Sequence, residues 1–439
     1  MDSFRTVTVL EYEVVPVVDV GLEVDGIGMF FVGDTWLTEA DAQSLIRIND
    51  LRRGFCQRVS GGVKLAQYCG IVRLPTCVLE VLPKVGMSDA REPEETARAR
   101  GALLTMLHDA RRVVVTNVGA VQQQAVRAPL LDVFIEAFLL SAVEQARRGL
   151  LSRYVGHDDD LSVVKGRFNV HGQLKRNLGR PHVMHCEFDE FTADNVYNRA
   201  IRAALDACKG WAVRPSTQRL WFETQARFAG VSARRTSASE IANLPRDRTT
   251  RRYDLVLTWC EWLLSLNSPA LSTGMARAPG LLFDMNKLFE AYVTGMVERG
   301  SGEGFVVHQQ GPAQALATHG GADAFTLRPD ITVWQVASDG GSGGIHRVLD
   351  AKWKRLDQHK AQWGVDPADI YQLLAYAVRY GCTQLELVYP ESGAGQGASD
   401  ALPLFEIADS ALGSVKIQVT TVPLWSGQCK NLALDKLSI

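Results

Sequence analysis

The segment 327–354 reads LRPDITVWQVASDGGSGGIHRVLDAKWK, and its two apolar runs decide how the last part of the chain folds. Both runs predict strands, and the glycine-rich DGGSGG between them predicts a loop. Residues i and i+2 of a strand point to the same face, so Asp350 and Lys352 project together. A hairpin of this length returns them beside Asp330. The segment therefore predicts two carboxylates and one ammonium group at one place.

The flanking segments extend this pattern into an α/β sheet. A predicted helix, 283–300, precedes the hairpin, and a predicted helix, 369–381, follows it; two further strand patterns, LELVYP and VKIQVTTVPL, come next. Such alternation favours a sheet with helices packed on it. Glu290 lies on the first helix, where it can turn toward the sheet. Gln372 and Tyr376 lie one turn apart on the second, so they share a face.

Composition places the chain among globular proteins of several domains. It has 439 residues, 46% of them hydrophobic, and a net charge of −2. These values exclude fibrous chains and proteins that bind nucleic acid through a large overall positive charge. Its eight cysteines are scattered without a CxxC pair, which favours reduced thiols in a cytoplasmic protein over a zinc ribbon or an iron–sulfur site. The first residues lack an export signal, and no apolar run predicts a membrane span.

The patterns along the chain predict a multidomain α+β protein with three consecutive domains. Residues 1–95 are β-rich, with strands predicted at Val7–Val18, Ile27–Val32, Gly70–Leu74 and Val78–Leu82. Residues 96–270 have helical periodicity and many arginines, which predicts a mainly helical domain with a possible DNA-facing surface. Residues 271–439 form the α/β domain.

The chemistry predicted for the hairpin is metal-dependent hydrolysis. Asp330 and Asp350 can hold Mg²⁺, with the backbone carbonyl of Ala351 as an extra ligand, while Lys352 orients or activates water. Gln372 can hold a water molecule or a phosphate oxygen. The sequence has no GxxxxGK[ST] segment to bind a nucleotide itself. These residues together favour cleavage of a phosphodiester.

The order of these motifs resembles a known family. A helix with Glu290, then Pro329-Asp330, then Asp350-Ala351-Lys352, then Gln372 and Tyr376 is similar to the PD-(D/E)xK nuclease superfamily. The segments FDMNKLFEAYV, LRPDI, VLDAKWK and YQLLAYA resemble those of the McrC family, the nuclease subunit of McrBC-type 5-methylcytosine-specific restriction systems. The segments GIVRLPTCVLEVLPKVG, VVKGRFNV and CEFDEFTADNVYNRAIRAAL extend the resemblance over most of the chain.

The resemblance implies a C-terminal restriction-endonuclease-like domain. It implies Asp330 and Asp350 as metal carboxylates, Lys352 as the catalytic lysine, Glu290 as an auxiliary acid, and Gln372 with Tyr376 as supporting residues. The implied cofactor is Mg²⁺, with GTP bound by the partner and not by this chain. The implied partners are a McrB-type AAA+ GTPase ring, which this chain stimulates and to which its β-rich domain docks, and double-stranded DNA containing modified cytosine.

Two other functions remain open at this point. The chain could be a non-catalytic regulatory or assembly subunit that activates an NTPase ring, or a stand-alone DNA repair nuclease of the same superfamily. Several other polar and aromatic residues are interpreted as structural, because isolated residues of these types usually serve packing or capping. They are His182, His185 and Cys186; His346 and His359; Asp189, Glu190 and Asp194; and Trp353 and Trp363.

Overall fold

A computed structural model describes residues 5–18, 35–51, 54–85, 92–110, 128–180, 182–266, 280–336, 342–391, 402–409 and 413–424. The predicted strand Ile27–Val32, the loop 392–399 and part of DGGSGG lie outside these ranges. The chain divides into two compact units. One unit comprises Met1–Arg5 with Leu130–Leu281, and the other comprises Thr6–Pro129 with Leu282–Ile439. We call them the inserted unit and the sheet unit.

The strands, in chain order, are β1 (Arg5–Leu10), β2 (Val14–Pro16), β3 (Cys56–Val59), β4 (Gly62–Leu65), β5 (Tyr68–Arg73), β6 (Cys77–Leu82), β7 (Arg153–Leu161), β8 (Arg167–Phe168), β9 (Met184–Thr192), β10 (Gly280–Asp284), β11 (Phe305–Gln309), β12 (Gln314–His319), β13 (Ala322–Leu327), β14 (Ile331–Val336), β15 (Ser342–Ala351), β16 (Gln384–Pro390), β17 (Leu404–Asp409) and β18 (Gly413–Val422). The helices are α1 (Glu39–Leu51), α2 (Pro93–Asp109), α3 (Leu130–Arg147), α4 (Val170–Arg176), α5 (Val196–Ala207), α6 (Pro215–Arg227), α7 (Ala238–Ala242), α8 (Asp254–Leu266), α9 (Met285–Gly300) and α10 (Pro367–Tyr380). Among the described residues, no helix has both the length and the apolar character needed to cross a membrane.

A six-stranded mixed sheet dominates the sheet unit, with the strand order β11-β14-β15-β16-β18-β17. Strands β14 and β15 are antiparallel, as the hairpin pattern predicted, and β15, β16 and β18 run parallel to one another. Helix α10 covers this sheet with Leu373, Tyr376 and Ala377, which join Leu387 and Ile417 in one buried cluster. Parallel strands need such a crossover helix, so the α/β pattern of the sequence is confirmed here.

Local sequence signals fix the start of both site-bearing helices and the end of α10. Asp284 caps α9 by accepting a hydrogen bond from Asn286 N at 3.1 Å. Asp366 caps α10 in the same way, Pro367 follows at the first helical position, and Gly381 ends the helix with φ of 65°. That left-handed conformation favours glycine. The caps set where α9 and α10 start, and therefore which side chains face the sheet.

The inserted unit is less helical than predicted. Its helices pack around Phe134, Tyr197 and Trp259, but β7, β9 and β8 form a three-stranded antiparallel sheet. Strand β7 contains HDDD at 157–160, and it lacks the alternation of apolar residues that would predict a strand. The strand forms because it pairs with β9 at nine register positions, and backbone hydrogen bonds do not depend on side-chain polarity.

The division into units differs from the three consecutive domains predicted. Strand β10 returns to the sheet formed by β1, β6 and β5, giving the order β1-β6-β5-β10. The beginning and the end of the chain therefore fold together, and the middle forms the other unit. Sequence patterns show where elements occur but not which distant strands pair, so the return of β10 was not predictable.

Buried Glu11 joins the N-terminal strands to the end of β15. Its carboxylate accepts hydrogen bonds from Trp353 Nε1 at 2.9 Å and from Lys84 N at 2.9 Å. Arg355 Nε donates to Lys84 O at 2.9 Å, which fastens the same segments a second time. Burial raises the pKa of Glu11 from 4.5 to about 7, although its N–H donors act in the opposite direction.

This raised pKa predicts how stability depends on pH at Glu11. The folded chain keeps the Glu11 proton up to about pH 7, whereas the unfolded chain loses it near 4.5, so the stabilisation by this proton is lost as the pH rises through that window. Glu11→Gln keeps an oxygen acceptor without the charge. Relative to wild type, the variant should gain up to about 3 kcal/mol between pH 4.5 and pH 8 in urea unfolding.

The control is Glu39→Gln, which removes an exposed carboxylate paired with Arg58. A difference between wild type and Glu11→Gln that stays constant across this pH range would contradict the prediction.

Candidate active site

The hairpin brings Asp330 and Asp350 side by side. Ile331 pairs with Leu349, so the residue before β14 lies opposite the last residues of β15. Asp330 Oδ2 accepts a hydrogen bond from Ala351 N at 3.0 Å, which fixes the first carboxylate on the backbone of the second motif. The predicted convergence of these carboxylates is confirmed in the geometry.

The two carboxylates are costly to ionise together. Burial, and then the negative charges of Asp350 and Glu290, raise the pKa of Asp330 to about 7. Burial also raises the pKa of Asp350, although Lys352 acts in the opposite direction. Carboxylates that share a buried site repel each other, and a cation placed between them removes that repulsion.

Asp350 has an unsatisfied oxygen. Among the described residues Oδ1 of this buried carboxylate has no hydrogen-bond partner, whereas Oδ2 lies 2.6 Å from Lys352 Nζ. Buried polar atoms nearly always have partners, so an isolated carboxylate oxygen suits a positively charged ligand.

Lys352 is held from the opposite side by helix α10. Its Nζ donates to Gln372 Oε1 at 3.1 Å and lies 3.3 Å from Asp369 Oδ1. Gln372 Nε2 in turn donates to Tyr376 Oη at 2.7 Å, and Tyr376 donates to the carbonyl of Arg328 at 3.1 Å. These contacts confirm that Gln372 and Tyr376 face the site, and they lead back to the residues just before Asp330.

Glu290 reaches the site from α9. Its Oε1 accepts hydrogen bonds from Gln310 Nε2 at 2.6 Å and from Gln309 Nε2 at 3.4 Å. Gln310 has a φ of 56°, which is uncommon for any residue other than glycine, and its backbone N donates to Asp330 O at 2.7 Å. A strained turn therefore fixes the orientation of Glu290 relative to Asp330.

Two residues of this network, Asp369 and Gln310, were not identified from the sequence. Asp369 lies three residues before Gln372 in α10, and that spacing could have placed it on the same helix face. Gln310 follows a strand that the sequence reading did not recognise, β11, so no signal pointed to it.

The donor set fits a hard divalent cation. Asp330, Asp350 and the Ala351 carbonyl are oxygen ligands, and Mg²⁺ typically takes one or two carboxylates and keeps several waters. Among the described residues, no three His, Cys, Asp or Glu side chains form a group that could hold a metal ion, so this site offers two carboxylates and a carbonyl. The unpartnered oxygen of Asp350 remains the feature that a cation would satisfy.

The other polar residues considered from the sequence lie in local structural contacts. His185 is buried between Asp160, 2.7 Å from Nδ1, and Asp158, 2.5 Å from Nε2. Asp194 pairs with Arg199 at 2.7 Å, while Asn195 caps α5. The remaining placements are as follows: His182 and His359 are exposed, Cys186 is buried, Asp189 and Glu190 lie on β9, His346 contacts the ring of Phe305, Trp353 is buried against Phe289, and Trp363 lies in a short 3₁₀ turn.

Comparison of the sequence with known protein families identifies a family for this chain. The sequence profile described as "McrBC 5-methylcytosine restriction system component" matches residues 63–390, well over half of the chain. No curated protein sequence matches the chain.

Two solved structures are similar in fold. One is the refined half-complex from a tetradecameric assembly of Thermococcus gammatolerans McrB AAA+ hexamers with bound McrC. A chain in it superposes with a TM-score of 0.66 at 17% identity, over 98% of this chain and 97% of that chain. The other is the cryo-EM structure of the Thermococcus gammatolerans McrBC complex, with a TM-score of 0.46 at 18% identity, over 67% of this chain and 88% of that chain. The first likeness concerns the fold alone. The sequence profile, in contrast, matches about three quarters of the chain, and by that match the chain belongs to the family of McrBC 5-methylcytosine restriction system components.

Proposed function

We propose that this chain is the Mg²⁺-dependent endonuclease subunit of a modification-dependent DNA restriction complex, with a PD-(D/E)xK nuclease domain in its sheet unit. The observation that carries the proposal is the buried Asp350 carboxylate, which has an unpartnered oxygen and lies beside Lys352 and the partly buried Asp330. The family match supports the restriction role. The intact set of acids and lysine argues against the purely regulatory alternative.

The chain's own residues would position the reacting groups. A bound Mg²⁺, held by Asp330, Asp350 and the Ala351 carbonyl, supplies charge neutralisation at the phosphate and lowers the pKa of water. Lys352, fixed between Asp350, Asp369 and Gln372, places its ammonium group where it can orient water or donate to a phosphate oxygen. Glu290 adds a further carboxylate, held in place by Gln310.

The partner in this proposal is a McrB-type AAA+ GTPase ring that binds the GTP and delivers double-stranded DNA containing modified cytosine. The fold likeness to a chain from an assembly of McrB hexamers with bound McrC supports this choice of partner. Docking through the β-rich N-terminal segment, stimulation of the partner and a cytoplasmic location belong to the same proposal.

Loss of cleavage in two variants tests the nuclease role. Asp350→Asn removes a metal carboxylate, and Lys352→Ala removes the ammonium group that faces it. With Mg²⁺, GTP and the McrB-type partner, each variant should cut methylated plasmid about 100-fold or more slowly than wild type. GTP hydrolysis by the partner should remain stimulated, because neither substitution touches a surface used for docking in this proposal.

Matched controls come from the opposite edge of the same sheet. Glu406 and Lys416 form an exposed ion pair at 3.6 Å between β17 and β18, and Glu406→Gln and Lys416→Ala should cut as wild type. Active Asp350→Asn and Lys352→Ala variants would refute the assigned site. Stimulated GTP hydrolysis without any cutting by wild type would favour the regulatory function instead.

Metal binding can be tested without cleavage. A divalent cation relieves the repulsion between Asp330 and Asp350. At 100 times Kd, Mg²⁺ should therefore increase the free energy of unfolding of wild type by about 2.7 kcal/mol, and its melting temperature should rise. Asp350→Asn should lose this gain. In EDTA the variant should be at least as stable as wild type, because an uncharged amide replaces a buried charge. Equal Mg²⁺ shifts for both proteins in thermal unfolding would contradict the metal assignment.

A further inference from the structure

A cavity of about 420 Å³ lies beside the candidate active site, within the sheet unit. Three cations line it, Lys84, Lys354 and Arg355, together with Tyr12 and two acids, Glu11 and Glu391. The residues come from the N-terminal strands and from the segment directly after β15. The cavity is therefore built by the same junction that anchors Trp353 to Glu11.

Asp369 connects this cavity to the site. One of its oxygens, Oδ1, lies 3.3 Å from Lys352 Nζ, and the other, Oδ2, lies 3.4 Å from Lys354 Nζ. Asp369 itself is buried, so it holds both lysines in a fixed relation. Lys354 is half exposed and lines the cavity, whereas Lys352 faces Asp350. Two adjacent positions for anionic groups result, one on each side of a single carboxylate.

The charge around the cavity favours an anion. Glu11 already accepts hydrogen bonds from Trp353 Nε1 and Lys84 N, so its carboxylate is directed inward to those donors. Its raised pKa of about 7 also reduces its negative charge near neutrality. Lys84, Lys354 and Arg355 line the cavity with three positive charges, of which Lys354 also pairs with Asp366 at 3.6 Å and with Asp369 at 3.4 Å. The half-exposed ring of Tyr12 offers an apolar surface on which a sugar or base can rest.

We propose that this cavity binds the phosphate group next to the scissile one on the DNA strand being cut, with Lys84 and Lys354 as its main contacts. The proposal rests on the nuclease function proposed above and assigns part of its substrate-binding surface. Asp369 acts as a positioning residue, because it sets the distance between Lys354 and Lys352. A phosphate bound at Lys354 then places the neighbouring phosphate at Asp330 and Asp350.

The test is a thermodynamic cycle between protein and DNA. The full chain with its McrB-type partner cuts modified duplexes that carry a single uncharged methylphosphonate, placed in turn at each position around the cleavage point. On DNA with an unmodified backbone, Lys354→Ala should raise KM about 10-fold while kcat changes little. The slope of log K against log salt concentration should fall by about 1, the value for one lost phosphate contact. At the position bound by the cavity, the methylphosphonate should abolish the effect of Lys354→Ala.

Control variants separate charge from folding. Lys360→Ala removes a nearby exposed lysine, which pairs with Asp357 at 3.7 Å, and should leave KM unchanged. Lys354→Arg keeps the charge and should restore KM, and Lys84→Ala should repeat the Lys354→Ala pattern at the same position. Thermal unfolding of each variant checks that it is folded.

The outcomes distinguish failure of this proposal from failure of the nuclease function. If wild type cuts and Lys354→Ala is additive with methylphosphonates at all positions, the cavity does not bind the DNA strand. GDP binding to the chain alone, measured by calorimetry and lost in Lys84→Ala, would assign the cavity to a free nucleotide and overturn the proposal. If wild type does not cut any duplex, the nuclease function itself fails.

Discussion

Two like charges, buried next to each other, determine the organisation of the candidate site. Asp330 and Asp350 raise the cost of ionising both together, and Lys352, which follows β15 and is held by helix α10, places one ammonium group against Asp350. The antiparallel hairpin, the caps of α9 and α10, and the strained turn at Gln310 all bring side chains to this point. Such an arrangement is unfavourable without further positive charge beside Lys352, and this cost is the basis of the proposed cation site.

The placement of the paired motifs could be predicted from the sequence because it depends on local geometry. The two-residue period of a strand aligned Asp350 with Lys352, the hairpin returned Asp330, and the helical period aligned Gln372 with Tyr376. The coarse class of mixed α/β protein followed from the same patterns. Each of these inferences needs only neighbouring residues and the repeat of one element.

Other parts depend on contacts between distant residues, and the sequence did not reveal them. Glu11 and Trp353 are 342 positions apart, and no periodicity links them. Strand β7 has a polar face and hence no apolar alternation. Asp369 gains its role only because Lys352 and Lys354 flank it in space. The pairing of β10 with β5 also joins distant residues, and strand partners are determined by the tertiary fold.

The discontinuity of the sheet unit has a consequence for biosynthesis. All but the first five residues of the inserted unit come from the continuous segment Leu130–Leu281, so most of this unit can fold soon after it leaves the ribosome. In contrast, β5 meets β10 only after about 200 further residues have been made, and Glu11 meets Trp353 342 positions later in the chain. At about 5–20 residues per second, these early strands wait on the order of tens of seconds with an incomplete sheet. During this delay the edge of β5 that β10 later covers is open to pairing with other strands.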